Sequence, residues 1–460
     1  MTIMKTLFLV LPTRLHISDV LHTEYIKELA GKYRVVVFLP TKNSSLEIDA
    51  SSYYKHPNVI YQGIFDPSGK YWTLIDWLLR PELIRRYEDN PAVRWRNAIA
   101  RKADKRRRLL RVVMQFVSKN LFSTDFFSFI ERYTMPNFSW FKKQVERHHP
   151  ALIMVASPGV KPVEPYVIAC AHRLKLPTVA FDFSWDNLTT YPRHVRKTKY
   201  LICWNEFQRE AARELHNYPD DRLFVSGTLR FDSYFRPLKG EEERSTFLSS
   251  KGLDPNRKTL LFASRAHLNF HRDIIRSFIH WQKEGVFAEP LNFFIRMHPL
   301  DKPEDYAEFM GVPNLYLGLA GTVKANTVSS KNNVETEEAD WVIKKDSIRH
   351  TDICINFAST FSLEAFIFDK PVINIGFAGI SSDILMFPHY APIVETGASR
   401  VAMRMEDVLL FINDYLKDPA RDRAARTAMV KKFVAPADGY SYKRNIGFIG
   451  EILKREGKVV

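Results

Sequence analysis

The chain has 460 residues, 45% of them hydrophobic and 26% charged, with a formal net charge of +15. That balance excludes a disordered chain, and the length calls for two or three domains, each with its own core. No apolar run approaches the roughly 18 residues of a membrane span, and the cationic excess narrows partners to anionic ones: nucleic acid, anionic lipid or phosphorylated metabolites.

Residues 5–11 and 33–39 are short apolar runs, the second rich in β-branched side chains, and residues 18–29 between them carry a helical pattern. This is a β-α-β unit. The apolar stretch Leu7 to Leu11 lacks a small-residue cleavage site and reads as a first strand, not a signal peptide. The loop after it holds His16, with Ser18 or Asp19 as helix N-cap; it is either a plain capped βα loop or one that faces substrate.

Residues 66–148 break the rhythm with long helical patterns, which reads as a helical insertion. Between Arg85 and Arg111 eleven Lys or Arg residues face only three acids. Such a segment beside the apolar run from Leu109 to Val117 suits an anionic membrane surface, and a solvated face of an inserted hairpin is the competing reading. Nucleic acid is not expected, because Tyr87 and Trp95 are the only aromatics available there for stacking and no recognised module surrounds them.

From Pro150 the α/β alternation resumes: strands at 151–156, 177–183, 200–204 and 223–227, with helices at 165–174 and 206–215. The loop Ser184-Trp185-Asp186-Asn187-Leu188-Thr189-Thr190 follows a strand. The polar stretch 238–256 looks like the join to a second α/β half with strands at 259–264, 291–295, 353–357 and 372–375. Residues 317–340 read as a loop or insertion, and 443–455 as a last helix returning to the first half. Cys170, Cys203 and Cys354 are far apart in apolar surroundings, so they are expected as buried thiols of a reducing cytosol. No CxxC, HExxH, P-loop or GxGxxG pattern occurs, which argues against a bound metal, an NTPase and a nicotinamide dehydrogenase.

Chemistry is expected at the carboxyl ends of the second half's strands. The apolar run Leu291 to Ile295 stops abruptly at Arg296-Met297-His298-Pro299; proline cannot continue a central strand, so Arg296 and His298 should lie at its tip. Arginine and histidine there offer donors that suit phosphate oxygens. Arg265 and His267 repeat the same spacing after another strand. Ile353 to Phe357 runs into Ala358-Ser359-Thr360, where Ser359 and Thr360 can cap a helix and meet a phosphate; Glu364, one turn on, could accept the hydroxyls of a ribose. Three strand tips on one rim would form a site for a phosphate-bearing ligand.

Taken in order, residues 184–189, Val225-Ser226-Gly227-Thr228-Leu229-Arg230-Phe231-Asp232, Arg296-Met297-His298-Pro299, Ala358-Ser359-Thr360 with Glu364, and Asp438-Gly439 resemble the GT-B superfamily of glycosyltransferases. The likeness spans roughly residues 150–445 and lies near bacterial surface-carbohydrate enzymes and CDP-glycerol glycerophosphotransferase-like enzymes. It implies an α/β protein of two Rossmann-like domains facing across a cleft: an acceptor domain at 1–235 with the insertion at 66–148, a donor domain at 236–442, and the helix 443–460 on the first domain. It implies a cytoplasmic, metal-independent transferase without cofactor, peripheral on the inner leaflet if Arg85–Arg111 binds lipid. A nucleotide-sugar or CDP-linked donor would be held by Arg265, Arg296, His298, Ser359, Thr360 and Glu364. The acceptor hydroxyl needs a base, for which Asp186 leads and His16, Asp19 and Asp182 compete.

Overall fold

A computed structural model describes residues 4–41, 50–51, 53–64, 90–95, 98, 129, 132–160, 163–190, 197–265, 270–298, 301–319, 322–323, 334–335, 338–377 and 381–458. Among them the chain forms two compact units, Met1–Arg230 with Tyr440–Val460, and Phe231–Lys324 with Val334–Gly439. The chain passes between units at 230/231 and 439/440, where the expected boundaries were 235/236 and 442/443.

The first unit carries a seven-stranded sheet of β1 (Thr6–Val10), β2 (Arg34–Pro40), β3 (Val59–Ile64), β4 (Pro150–Val155), β5 (Thr178–Phe181), β6 (Tyr200–Cys203) and β7 (Leu223–Val225). Its order is β3-β2-β1-β4-β5-β6-β7, with every neighbouring pair parallel. A parallel sheet is covered on both faces, which is why β1 and β4 are apolar at nearly every position instead of alternating. Leu7, Leu9, Val35 and Val37 face one core, to which the helix Ser441–Arg455 contributes Tyr442, Ile446, Ile449 and Ile452. Phe8, Val10, Val36 and Phe38 face the other, against Phe141, Tyr166 and Val167.

In the second unit β8 (Lys258–Ala263), β9 (Leu291–Met297), β10 (Leu315–Leu319), β13 (Ile353–Asn356), β14 (Val372–Ile375) and β15 (Arg400–Ala402) form a six-stranded parallel sheet. Its order is β10-β9-β8-β13-β14-β15, and a short antiparallel ribbon joins β11 (Thr322–Val323) to β12 (Val334–Glu335). Phe293, Ile295 and Met297 of β9 pack with Leu260, Phe262, Ile274, Ile275 and Phe278 in its core. Both orders reverse direction once, between β1 and β4 and between β8 and β13, and at such reversals open α/β sheets hold ligands outside the carboxyl ends.

Three strands of the two large sheets were not foreseen: β3, β10 and β15. All are outer strands and mostly half-buried, so the continuous apolar run that marks a central strand is missing. Residues 317–340, expected as a loop, hold the end of β10, the ribbon and the start of the helix Glu338–Arg349. The 238–256 join contains the helix Arg244–Ser250. Of the insertion, the helix Phe138–His148 is described; Arg85–Arg111, apart from residues 90–95 and 98, lies outside the described residues.

Candidate functional site

The second unit brings the tips of β9, β8 and β13 side by side. Residue 264 follows β8, and its amide still donates to the Arg296 carbonyl at 3.0 Å, so β8 and β9 stay paired to the rim. The Arg265 guanidinium reaches across the reversal point to the Phe357 carbonyl at 3.5 Å, which places it at the mouth of the loop that carries Ser359 and Thr360. Burial lowers its pKa, the mark of a cation held partly out of water.

The loop after β13 is built by asparagines. Asn356 Oδ1 accepts from the Ser359 amide at 3.2 Å, and Asn374 Oδ1 accepts from the Ala358 amide at 3.0 Å. They hold Ala358 at φ 48°, a left-handed conformation unusual for alanine. Ser359 Oγ accepts from the Phe361 amide at 3.2 Å and so serves as the cap. Thr360, expected to share that role, does not cap, and among the described residues its hydroxyl has no hydrogen-bond partner. The helix it precedes, Phe361–Ile367, has only seven residues.

Behind β9's tip a carboxylate ties the loop together. The His298 amide donates to Ser264 Oγ at 2.6 Å and to Asp301 Oδ2 at 3.0 Å, and the Tyr306 hydroxyl donates to the same oxygen at 2.9 Å. Buried His271 stands behind them, its pKa lowered to about 4 by burial, with Asp301 pulling the other way. The neutral ring accepts the Arg265 amide at Nε2 (3.1 Å), which leaves Nδ1–H for the Tyr306 oxygen at 3.3 Å. His267 and Pro299 lie outside the described residues.

Arg296 and Glu364 are brought together as electrostatic neighbours. The pleat puts Arg296 on the side of Phe294, away from the Phe293, Ile295 and Met297 core, where its electrostatic neighbours are Tyr234, Glu364, Asp340 and Tyr316. Burial lowers the Arg296 pKa as well. Glu364 is 2% exposed; its Oε1 is paired with Lys344 Nζ at 2.6 Å, and its buried Oε2 has no hydrogen-bond partner among the described residues. Lys344 is a partner that the sequence did not disclose.

In the first unit, Asp186 is half-buried after β5. Ser184 donates to its Oδ1, while its carbonyl takes the Thr190 amide at 2.9 Å and the Thr190 hydroxyl at 2.8 Å. Asp182 is buried and accepts from Asn187 Nδ2 at 2.7 Å. His16 is buried after β1, with Nδ1 2.7 Å from Thr13 Oγ1 and its ring edge-on to Phe183 at 5.3 Å. Asp19 does not cap a helix, because it lies inside the helix Arg14–Leu21, which begins after Thr13; it is fully buried and paired with Arg230 at 2.7 Å, so its carboxylate is committed to a cation.

No protein-family model and no curated protein matches the sequence. Solved structures do. A Neisseria meningitidis UDP-GlcNAc 2-epimerase bound to UDP-GlcNAc superimposes with TM-score 0.55 at 12% identity, over 98% of this chain and 100% of its own. The S. aureus MnaA–UDP co-structure gives 0.52 at 12%, over 99% and 98%. A variant of the wall teichoic acid polymerase TagF gives 0.52 at 11%, over 98% and 89%; another of its structures includes CDPG. The chain has the GT-B fold.

Within this GT-B chain, the residues that support the site leave little trace in the sequence. Asp301 follows His298 by three residues, a spacing at which an Asp side chain can reach back to the backbone amide, so this contact carries a local signal. His271, Tyr306 and Lys344 are joined to the site only by the fold. Among the described residues no helix is long and apolar enough to cross a membrane, and no three His, Cys, Asp or Glu side chains group as metal ligands.

Proposed function

We propose that this protein is a glycosyltransferase that moves a sugar from a nucleoside-diphosphate donor to a hydroxyl of a glycan or lipid-linked acceptor in bacterial surface-polysaccharide assembly. The observation that carries this reading is the adjacency of the β9, β8 and β13 tips, which gathers Arg265, the His298 loop, Ser359 and Thr360 at the reversal point of the second sheet. As the acceptor oxygen bonds the anomeric carbon, the bond to the donor's diphosphate breaks, and fixed cations and N–H or O–H donors stabilise the charge that develops on the departing nucleoside diphosphate. Glu364 Oε2, an acceptor without a partner among the described residues, suits a ribose hydroxyl. The similar structures include complexes with UDP, UDP-GlcNAc and CDPG, each a nucleotide-type ligand consistent with this rim.

The acceptor hydroxyl loses its proton to Asp186, the half-exposed carboxylate after β5; the commitment of Asp19 to Arg230 makes it the weaker choice. We further propose that the protein works in the cytoplasm and that Arg85–Arg111 holds it on the anionic inner leaflet. The likeness to TagF keeps a second reading in view, transfer of a polyol phosphate from a CDP-linked donor, with a catalytically silent scaffold as the third.

A thermal-shift screen against uridine, cytidine, guanosine and thymidine diphosphates identifies the base, since a ligand that binds only the native state raises stability. Turnover of the matching donor, with product mass, then separates sugar from polyol phosphate. Asp186→Asn should lower kcat by ~10²–10⁴ while leaving diphosphate affinity unchanged. No shift with any diphosphate and no turnover would leave the scaffold, and conversion of donor without acceptor would point to epimerisation.

A further inference from the structure

Asp301 is an acid set against an anion-holding rim, where Coulomb's law alone works against phosphate. Its Oδ2 nevertheless takes three hydrogen bonds, from Ser264 Oγ at 2.5 Å, the His298 amide at 3.0 Å and the Tyr306 hydroxyl at 2.9 Å. Ser264 follows β8, His298 follows β9, and Tyr306 lies in the 3₁₀ segment Pro303–Phe309. Through Tyr306 and His271 the network continues to the Arg265 amide. One carboxylate thus fixes the backbone at both cationic strand ends.

We propose that Asp301 is a positioning residue for a diphosphate: it holds the tips of β8 and β9 in one conformation, so that binding does not have to order them. The inference rests on reading the second unit as the donor-binding unit. Asp301 itself need not touch the ligand, and its charge opposes the anion it helps to bind.

That opposition gives the test a sign. Asp301→Ala removes the charge and all three bonds; Asp301→Asn removes the charge and keeps an oxygen acceptor. Titration calorimetry with UDP and CDP, and with uridine and cytidine as controls, reads the effect. Expected are a roughly tenfold loss of diphosphate affinity in Asp301→Ala, nucleoside affinity unchanged, and wild-type or tighter diphosphate binding in Asp301→Asn. Tyr306→Phe, which removes one bond of the three, carries the test if Asp301→Ala does not fold, with a roughly threefold loss expected. Diphosphate binding by Asp301→Ala as tight as wild type, or equal losses for nucleoside and diphosphate, overturns the proposal alone. Failure of the wild type to bind any of the uridine, cytidine, guanosine and thymidine diphosphates overturns the donor-binding reading and this inference with it.

Discussion

His271 shows how a single side chain can tie stability to the state of the site. Burial holds its pKa at about 4, against about 6.5 in an unfolded chain. Between those values the unfolded state binds a proton that the native state does not, so stability rises with pH and is lost as pH falls from about 6.5 toward 4. The cost at the acid end is at most about 3 kcal/mol. Protonation would also turn Nε2 into a donor facing the Arg265 amide, so the same event undoes the strand tip. Urea unfolding at pH 7 and pH 4.5 should show His271→Gln losing less stability between the two than wild type; an equal loss would exclude His271 as the source. Glu364 and Lys344 form the other sensitive pair, buried enough that removing either partner strands a charge.

At the scale of elements, the Gly227 turn connects β7 to the helix Ser441–Arg455. Gly227 sits at φ +84°, and a Cβ there would run into Ser441 Oγ, with Ser441 Cβ 3.2 Å and Arg444 Nη2 3.3 Å away. Ser226 supports the same junction, its carbonyl accepting from Arg444 Nε at 2.7 Å. Gly227→Ala should therefore cost about 1–3 kcal/mol through strain and overlap together. Chemical denaturation measures it, and a change below about 0.5 kcal/mol would mean that the helix shifts freely. This turn was legible as part of Val225-Ser226-Gly227-Thr228, but its reason was not, because Ser441 lies over two hundred residues away. The same division runs through the chain. Central strands such as β1, β4, β8, β9 and β13 announce themselves by mostly apolar runs, and the residues at their tips follow from where those runs stop. Edge strands β3 and β15 carry no such run. That Arg296 turns toward Glu364 depends on which side of the pleat it takes, and the commitment of Asp19 depends on Arg230 arriving from a distant segment.

At the scale of the whole molecule, each unit has its own sheet and core, and the proposed diphosphate contacts lie in only one of them. A ligand at 100 times its Kd stabilises the native state by about 2.7 kcal/mol, and that gain appears first in amides whose opening breaks the site. Hydrogen exchange with and without the preferred nucleoside diphosphate should slow at residues 258–265, 291–298 and 353–364, while β1 and β4 of the first unit keep their rates. Because the rim is cationic, added salt should weaken the protection. Slowing spread equally over both sheets would show that the units open as one cooperative body, in which case exchange would report global stability and could not locate the ligand. Slowing confined to the first unit would place the nucleotide on the wrong sheet and remove the basis for assigning Arg265 and the His298 loop to it.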